Sequence, residues 1–152
     1  MPLALRAITT PELQALSAGG YTSPHLIVAD GALPPAHVAA RALRLLSEGL
    51  FEHWSSTYFM VQHPQNLVVG ASGFKGHPIH GRVEIGYGVS PDMRRQGHAS
   101  AAVQMLLAIA FSSGRVNEVL AQVGAQNPAS TRVVAKLGFV ASVRASTKTT
   151  KF

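Results

Sequence analysis

Glu84, Gly86 and Gly88 alternate along Arg82-Val83-Glu84-Ile85-Gly86-Tyr87-Gly88-Val89-Ser90, and the basic turn Arg94-Arg95-Gln96-Gly97-His98-Ala99 follows. Read as a strand, the first run puts Glu84, Gly86, Gly88 and Ser90 on one face and Val83, Ile85, Tyr87 and Val89 on the other. The second set is a core face. The first sets one carboxylate beside two positions with no side chain, which leaves room for a ligand. After the turn a helical pattern begins. A helix start presents backbone N–H groups without intrahelical partners, and its dipole favours negative charge. Gly97 allows close backbone approach, and the two arginines add forked donors. The dipole alone contributes only about 0.3–1 kcal/mol, so an anion needs several charged hydrogen bonds at roughly 1.5–3 kcal/mol each. The bland alternative is a solvated basic turn. The pattern is neither a P-loop, since no Gly-Lys-Ser/Thr follows, nor the three-glycine dinucleotide fingerprint.

A second constellation lies downstream: Asn127-Pro128-Ala129-Ser130-Thr131-Arg132, then Lys136-Leu137-Gly138-Phe139. Together the two resemble the GNAT superfamily of N-acetyltransferases. The first is similar to that family's acyl-CoA-binding pattern, Gln/Arg-x-x-Gly-x-Gly/Ala. The second is similar to the branch containing the ribosomal-protein N-terminal acetyltransferases (RimJ/RimL). The resemblance covers about residues 57–140. It implies an α/β (α+β) domain with a mixed, mostly antiparallel central sheet, splayed central strands and helices on both faces. It also implies acetyl-CoA as acyl donor and a primary amine as acceptor. On this reading the backbone of Arg94, Arg95, Gln96, Gly97, His98 and Ala99 holds the pyrophosphate. Tyr87, Gly88 and Val89 pair with the pantetheine arm, and Asn127 contacts it or simply caps a helix.

Acetyl transfer needs a neutral amine. At pH 7 a lysine-like amine is neutral in about one molecule in 2,500, an α-amino group in roughly one in ten. A base therefore matters more for the former, by about 3.4 kcal/mol. Glu84 is the candidate base, directly or through a water, against the alternative of a salt-bridged sheet glutamate. Many relatives protonate the leaving thiolate with a tyrosine after the second motif's Gly-Phe. This chain has no tyrosine after Tyr87. Ser130 matches a position proposed as acid in some relatives, against a plain first-turn serine; a free thiolate protonated by water is the other route.

The surrounding pattern supplies elements to position these groups. Leu3–Ile8 reads as a strand. Thr10-Pro11-Glu12 reads as a helix start with Thr10 as N-cap, ending at Gly19-Gly20. Ala39, Ala42, Leu43, Leu46 and Leu50 predict an amphipathic helix over about 35–51. Thr57–Val61, Leu67–Phe74 and Arg82–Ser90 read as strands, with turns at His63-Pro64-Gln65-Asn66 and Gly76–Gly81. Val103, Leu106, Leu107 and Ala110 predict a helix from about Gly97 to Ser113. Glu118–Val123 is a strand, Pro128–Lys136 a helix ending near Gly138, and Phe139–Ser146 a last strand. Trp54, Tyr58 and Phe59 are core or acceptor-pocket aromatics.

The 152 residues suit a single domain over 1–152, 47% hydrophobic and 13% charged, hence globular. With no cysteine, thiolate catalysis and Cys-based metal sites are excluded, and no metal is expected. His63, His77 and His80 read as solvated turn residues. The longest apolar stretch, near Ala101–Phe111, is far below the ~20 residues a membrane span requires. No signal peptide is evident at Met1-Pro2-Leu3, so a cytoplasmic protein is expected. The net charge of +6 is scattered, without a Lys/Arg run, which argues against nucleic acid and suits an anionic cofactor. After Phe139 only a short, polar end remains, shorter than the usual final hairpin of the family. The acceptor side is then open, completed by a second subunit of a homodimer, or able to take a peptide N-terminus.

Overall fold

The computed structural model describes residues 2–49, 52–124, 128–144 and 147–151. Their elements run β1 (Leu3–Ala7), α1 (Thr10–Ser17), β2 (Ile27–Val28), α2 (Ala36–Ser47), β3 (Thr57–Gln62), β4 (Leu67–Phe74), β5 (Arg82–Val89), α3 (His98–Ser112), β6 (Glu118–Gly124), α4 (Pro128–Lys136), β7 (Val140–Arg144) and β8 (Thr147–Lys151). All strands join one sheet in the order β1-β3-β4-β5-β6-β8-β7, with β2 beside β4. Only β2 with β4 and β5 with β6 run parallel; the other pairings are antiparallel.

Helices cover both faces. On one, Leu13 and Leu16 of α1 and Ala39 and Ala42 of α2 bury against Phe59, Val61 and Val68. On the other, Val103, Leu106, Leu107 and Ala110 of α3 and Val134 of α4 pack on Tyr58, Phe74, Val83 and Ile85. The expected period of two along β5 holds: Val83 and Ile85 are buried on the α3 side. Trp54, Tyr58 and Phe59 are core residues, at most 8% exposed, because bulky apolar rings at these positions face the helices.

Two features open the sheet at its centre. β5 and β6 pair from Arg82↔Glu118 to Ile85↔Ala121. Beyond that, among the described residues, no pair joins them, although β5 continues to Val89 and β6 to Gly124. The two strands splay as expected. Between β4 and β5 the backbones instead crowd: a Cβ at Gly70 would lie 2.2 Å from the Gly88 carbonyl oxygen, so that position requires glycine.

Three readings change. Thr9, not Thr10, caps α1: its hydroxyl accepts from the Glu12 N–H while the Glu12 carboxylate accepts from the Thr9 N–H. Glu12 lies three residues after Thr9, so only Thr9 completes this reciprocal box. The second helix stops at Ser47, short of residue 51. The polar end after residue 146 is a strand: β8 inserts between β6 and β7, forming a final hairpin. Its β-branched threonines suit a pleated surface despite their polarity. Where α4 ends, Gly138 takes φ 94° and the Phe139 and Gly138 N–H groups donate to Val134 and Ala135, a Schellman end.

Candidate functional site

The end of β5 sits between two cavities. The first, about 470 Å³, is lined by Tyr87, Gly88 and Val89, by the basic turn and first turn of α3, and by Arg132, Val133 and Lys136 of α4. The second, about 520 Å³, lies under the Gly31–Pro35 loop and α2, against Gly73, Lys75 and the same β5 end. Tyr87, Gly88, Val89 and Arg94 line both, so the two cavities share this strand end as a common wall.

The first cavity has a cationic lining at a helix start. α3 starts at Gly97, which adopts φ 81° and offers no side-chain cap, leaving the helix's leading N–H groups to face outward. Arg95 also takes a left-handed φ of 64°. Such a value costs a non-glycine residue on the order of 1–3 kcal/mol, which the surrounding turn must hold. Arg94 donates from Nε to the Val89 carbonyl at 3.3 Å, fixing its stem beside the strand end. Arg94, Arg95, Arg132 and Lys136 line the cavity without any Asp or Glu among its described lining residues. Gln96 is exposed and outside the lining. His98 is 6% exposed, its Nε2 is buried without a partner, and burial holds its pKa below the ordinary histidine value. A buried imidazole therefore sits at the helix start, its protonated form disfavoured by burial.

The second cavity has a floor of small residues. Gly73 pairs with Gly86 and Ala71 with Gly88, and all four line it. A Cβ at Gly88 would meet nothing within 4 Å, so that glycine faces open space. Glu84, next on this face, does not line either cavity. Its Oε2 accepts from Lys75 Nζ at 2.8 Å, and the Lys75 chain runs over Gly86, whose added Cβ would meet Cε at 3.1 Å. Lys75 is thus the group that reaches from Glu84 to the cavity. The roof is tied down: Ser90, fully buried, donates from Oγ to the Asp30 carbonyl, and a Cβ at Gly31 would touch Pro91 Cδ at 3.3 Å.

Of the remaining sequence candidates, Ser130 falls in the first turn of α4, and Asn127 lies outside the described residues. Among the described residues, no cluster of three His, Cys, Asp or Glu could hold a metal, and no helix is long and apolar enough to cross a membrane. Arg132 and Lys136 carry the second motif without a site role read from it, and His37, Arg41 and Lys75 have no motif of their own. The spacing of four in Arg132/Lys136 and in His37/Arg41, each on one helix face, was the available signal.

A family model described as acetyltransferase (GNAT) domain matches residues 3–140. The chain belongs to this GNAT family. It is 32% identical over 91 residues to YjdG of Bacillus subtilis (strain 168), an uncharacterized N-acetyltransferase. That stretch covers 59% of this chain and 52% of YjdG, so the chain spans about half the length of that relative. Two solved structures share the GNAT domain's architecture. RimL, the ribosomal L7/L12 alpha-N-protein acetyltransferase, in complex with coenzyme A, superposes with a TM-score of 0.70 at 16% identity, covering 100% of this chain and 94% of that one. Dodecameric spermidine N-acetyltransferase of Vibrio cholerae gives 0.68 at 16%, covering 99% and 92%. At this identity the likeness shows the fold.

Proposed function

We propose that this GNAT domain, spanning the chain, transfers an acetyl group from acetyl-CoA directly to a primary amine, as in the ribosomal-protein N-terminal acetyltransferase branch. The observation that carries the reading is that two cavities of 470 and 520 Å³ meet at Tyr87–Val89. The first takes the CoA phosphates on Arg94, Arg95, Arg132, Lys136 and the α3 N–H groups; the second takes the amine. Both substrates are then held together, which replaces a bimolecular encounter by an oriented one.

The amine nitrogen attacks the acetyl carbonyl carbon, the carbon–sulfur bond breaks, and the amine loses one proton. Glu84 is the proposed base. Because Lys75 lies between it and the cavity, the proton passes through water or after Lys75 swings aside. The thiolate leaves with a proton from Ser130 or from water, and Asn127 contacts the CoA arm. A homodimer is the proposed assembly.

Calorimetric titration with acetyl-CoA against a free adenine-nucleotide control tests the cofactor. Binding well above the control, followed by acetylation of amines or peptide N-termini, is expected. Well-folded protein that fails to bind acetyl-CoA rejects the proposal. The Lys75–Glu84 pair favours a second reading, a module that binds acyl-CoA without turnover. In that case acetyl-CoA binds but no amine is acetylated.

A further inference from the structure

Resting on the acetyl-transfer reading, we infer that the acceptor is a primary amine that also carries a carboxylate, and that Arg41 of α2 is the residue that recognises it. The second cavity is lined by Arg41, Lys75 and Arg94, with no Asp or Glu among its described lining residues. Two of these cations are engaged. Lys75 is paired with Glu84, and Arg94 is bonded to Val89 and shared with the anion-binding cavity. Arg41 is half-buried and has no ion pair among the described residues. Its helix neighbour Arg44, by contrast, turns to Glu48. His37, one turn before Arg41, lines the same wall.

A partly desolvated guanidinium without a carboxylate of its own is a site for one brought by the ligand, with two parallel hydrogen bonds in a fixed fork. A polyamine is the opposite case. Each ammonium beyond the reacting nitrogen would face Arg41 and Arg94 with no acidic group to meet it, and like charges in such juxtaposition are rejected. The open space at Gly88 leaves the reacting amine room beside β5, while the carboxylate turns toward α2.

A free amino acid and a peptide with an acidic N-terminal residue share this chemistry. The test uses the full chain saturated with acetyl-CoA and measures acetylation of alanine, alaninamide, an N-terminal Asp dipeptide amide, its Asn counterpart, and spermidine. Carboxylate acceptors should be preferred over their amides by roughly tenfold or more in kcat/KM, the worth of one charged hydrogen bond. Which member of the set wins separates the free acid from the peptide. Arg41→Gln should abolish the preference through KM, Arg41→Lys should keep part of it, and the acetyl-CoA dissociation constant should stay unchanged in both. A parallel calorimetric titration of CoA-loaded protein with the same compounds reads binding without turnover. Preferential binding of the carboxylates, lost in Arg41→Gln, supports the inference even if nothing is acetylated; only the catalytic reading then fails. Equal or better use and binding of amides or spermidine, or a carboxylate preference that survives in Arg41→Gln, overturns it.

Discussion

Lys75 Nζ stands 2.8 Å from Glu84 Oε2, so the proposed base is paired with a cation that itself lines the second cavity. Both side chains are more than a quarter exposed, so the pair contributes well under 1 kcal/mol to stability. Glu84→Gln should therefore leave the melting temperature and acetyl-CoA affinity nearly unchanged. It should lower kcat/KM by about 100-fold for a lysine-like amine, the usual contribution of a general base, and by much less for an α-amine. Steady-state kinetics on both acceptors checks this. Equal losses on the two, or none, would remove Glu84 from the chemistry.

At the basic turn, stability and binding are set against each other. Arg95 holds φ 64°, a conformation glycine adopts freely. Arg95→Gly should raise stability by up to about 1 kcal/mol while weakening acetyl-CoA about tenfold through the lost charged contact. Denaturant unfolding and calorimetry on the same preparation read the two changes. A loss of both would mean that the arginine side chain braces the turn.

His98 makes the fold sensitive to acid. Burial holds its folded-state pKa below the unfolded value of 6.5, so the unfolded chain binds its proton first. Its stabilising contribution is complete above that value and is lost as pH falls through the folded-state pKa. The melting temperature should drop from pH 7 to pH 5, and His98→Gln should flatten that part of the profile. An unchanged slope in the variant would assign the acid sensitivity to other groups.

Glu12 has the same pH sign, reached through a different balance. Burial pushes its carboxyl up, but hydrogen bonds from the Thr9 N–H and hydroxyl, Arg6 and Tyr21 hold it below its usual value. Its contribution is present above the unfolded pKa and disappears as pH falls through the lower folded one. At neutral pH, Thr9→Ala should cost about 1 kcal/mol and Thr10→Ala close to nothing. Chemical denaturation of the two variants distinguishes these caps directly.

Ser90→Ala removes the bond to the Asp30 carbonyl. The expected cost is about 1 kcal/mol, with a raised KM for the amine and an unchanged dissociation constant for acetyl-CoA. An equal weakening of both ligands would show that the strand end itself had moved.

The strands and helices around the site were legible because their apolar periods are strong. Val83/Ile85 and Val103/Leu106/Leu107/Ala110 each bury a continuous face. The position of Gly97 at the start of α3 was equally plain from its place between basic and apolar runs. What escaped depended on distant partners. Glu84 and Lys75 are brought together by the antiparallel pairing of β4 and β5, a register that no local pattern states. Arg41 and the Gly31–Pro35 loop reach the cavity only because β2 lies beside β4 at Leu67 and Val68, where β5 has ended. β8 escaped for a different reason: Thr147-Lys148-Thr149-Thr150-Lys151 has no apolar residue to announce a strand.

The Ser90–Asp30 bond and the Gly31–Pro91 contact fasten the roof of the second cavity to the strand end that also borders the first. Changes in that loop must therefore preserve these two anchors, whereas the His37–Arg41 face of α2 borders one cavity alone. Divergence toward new acceptors has an open route through α2 and a constrained one through the loop. On the acetyl-transfer reading, a change of acceptor can be made by rewriting a single helical turn while the donor half is inherited intact.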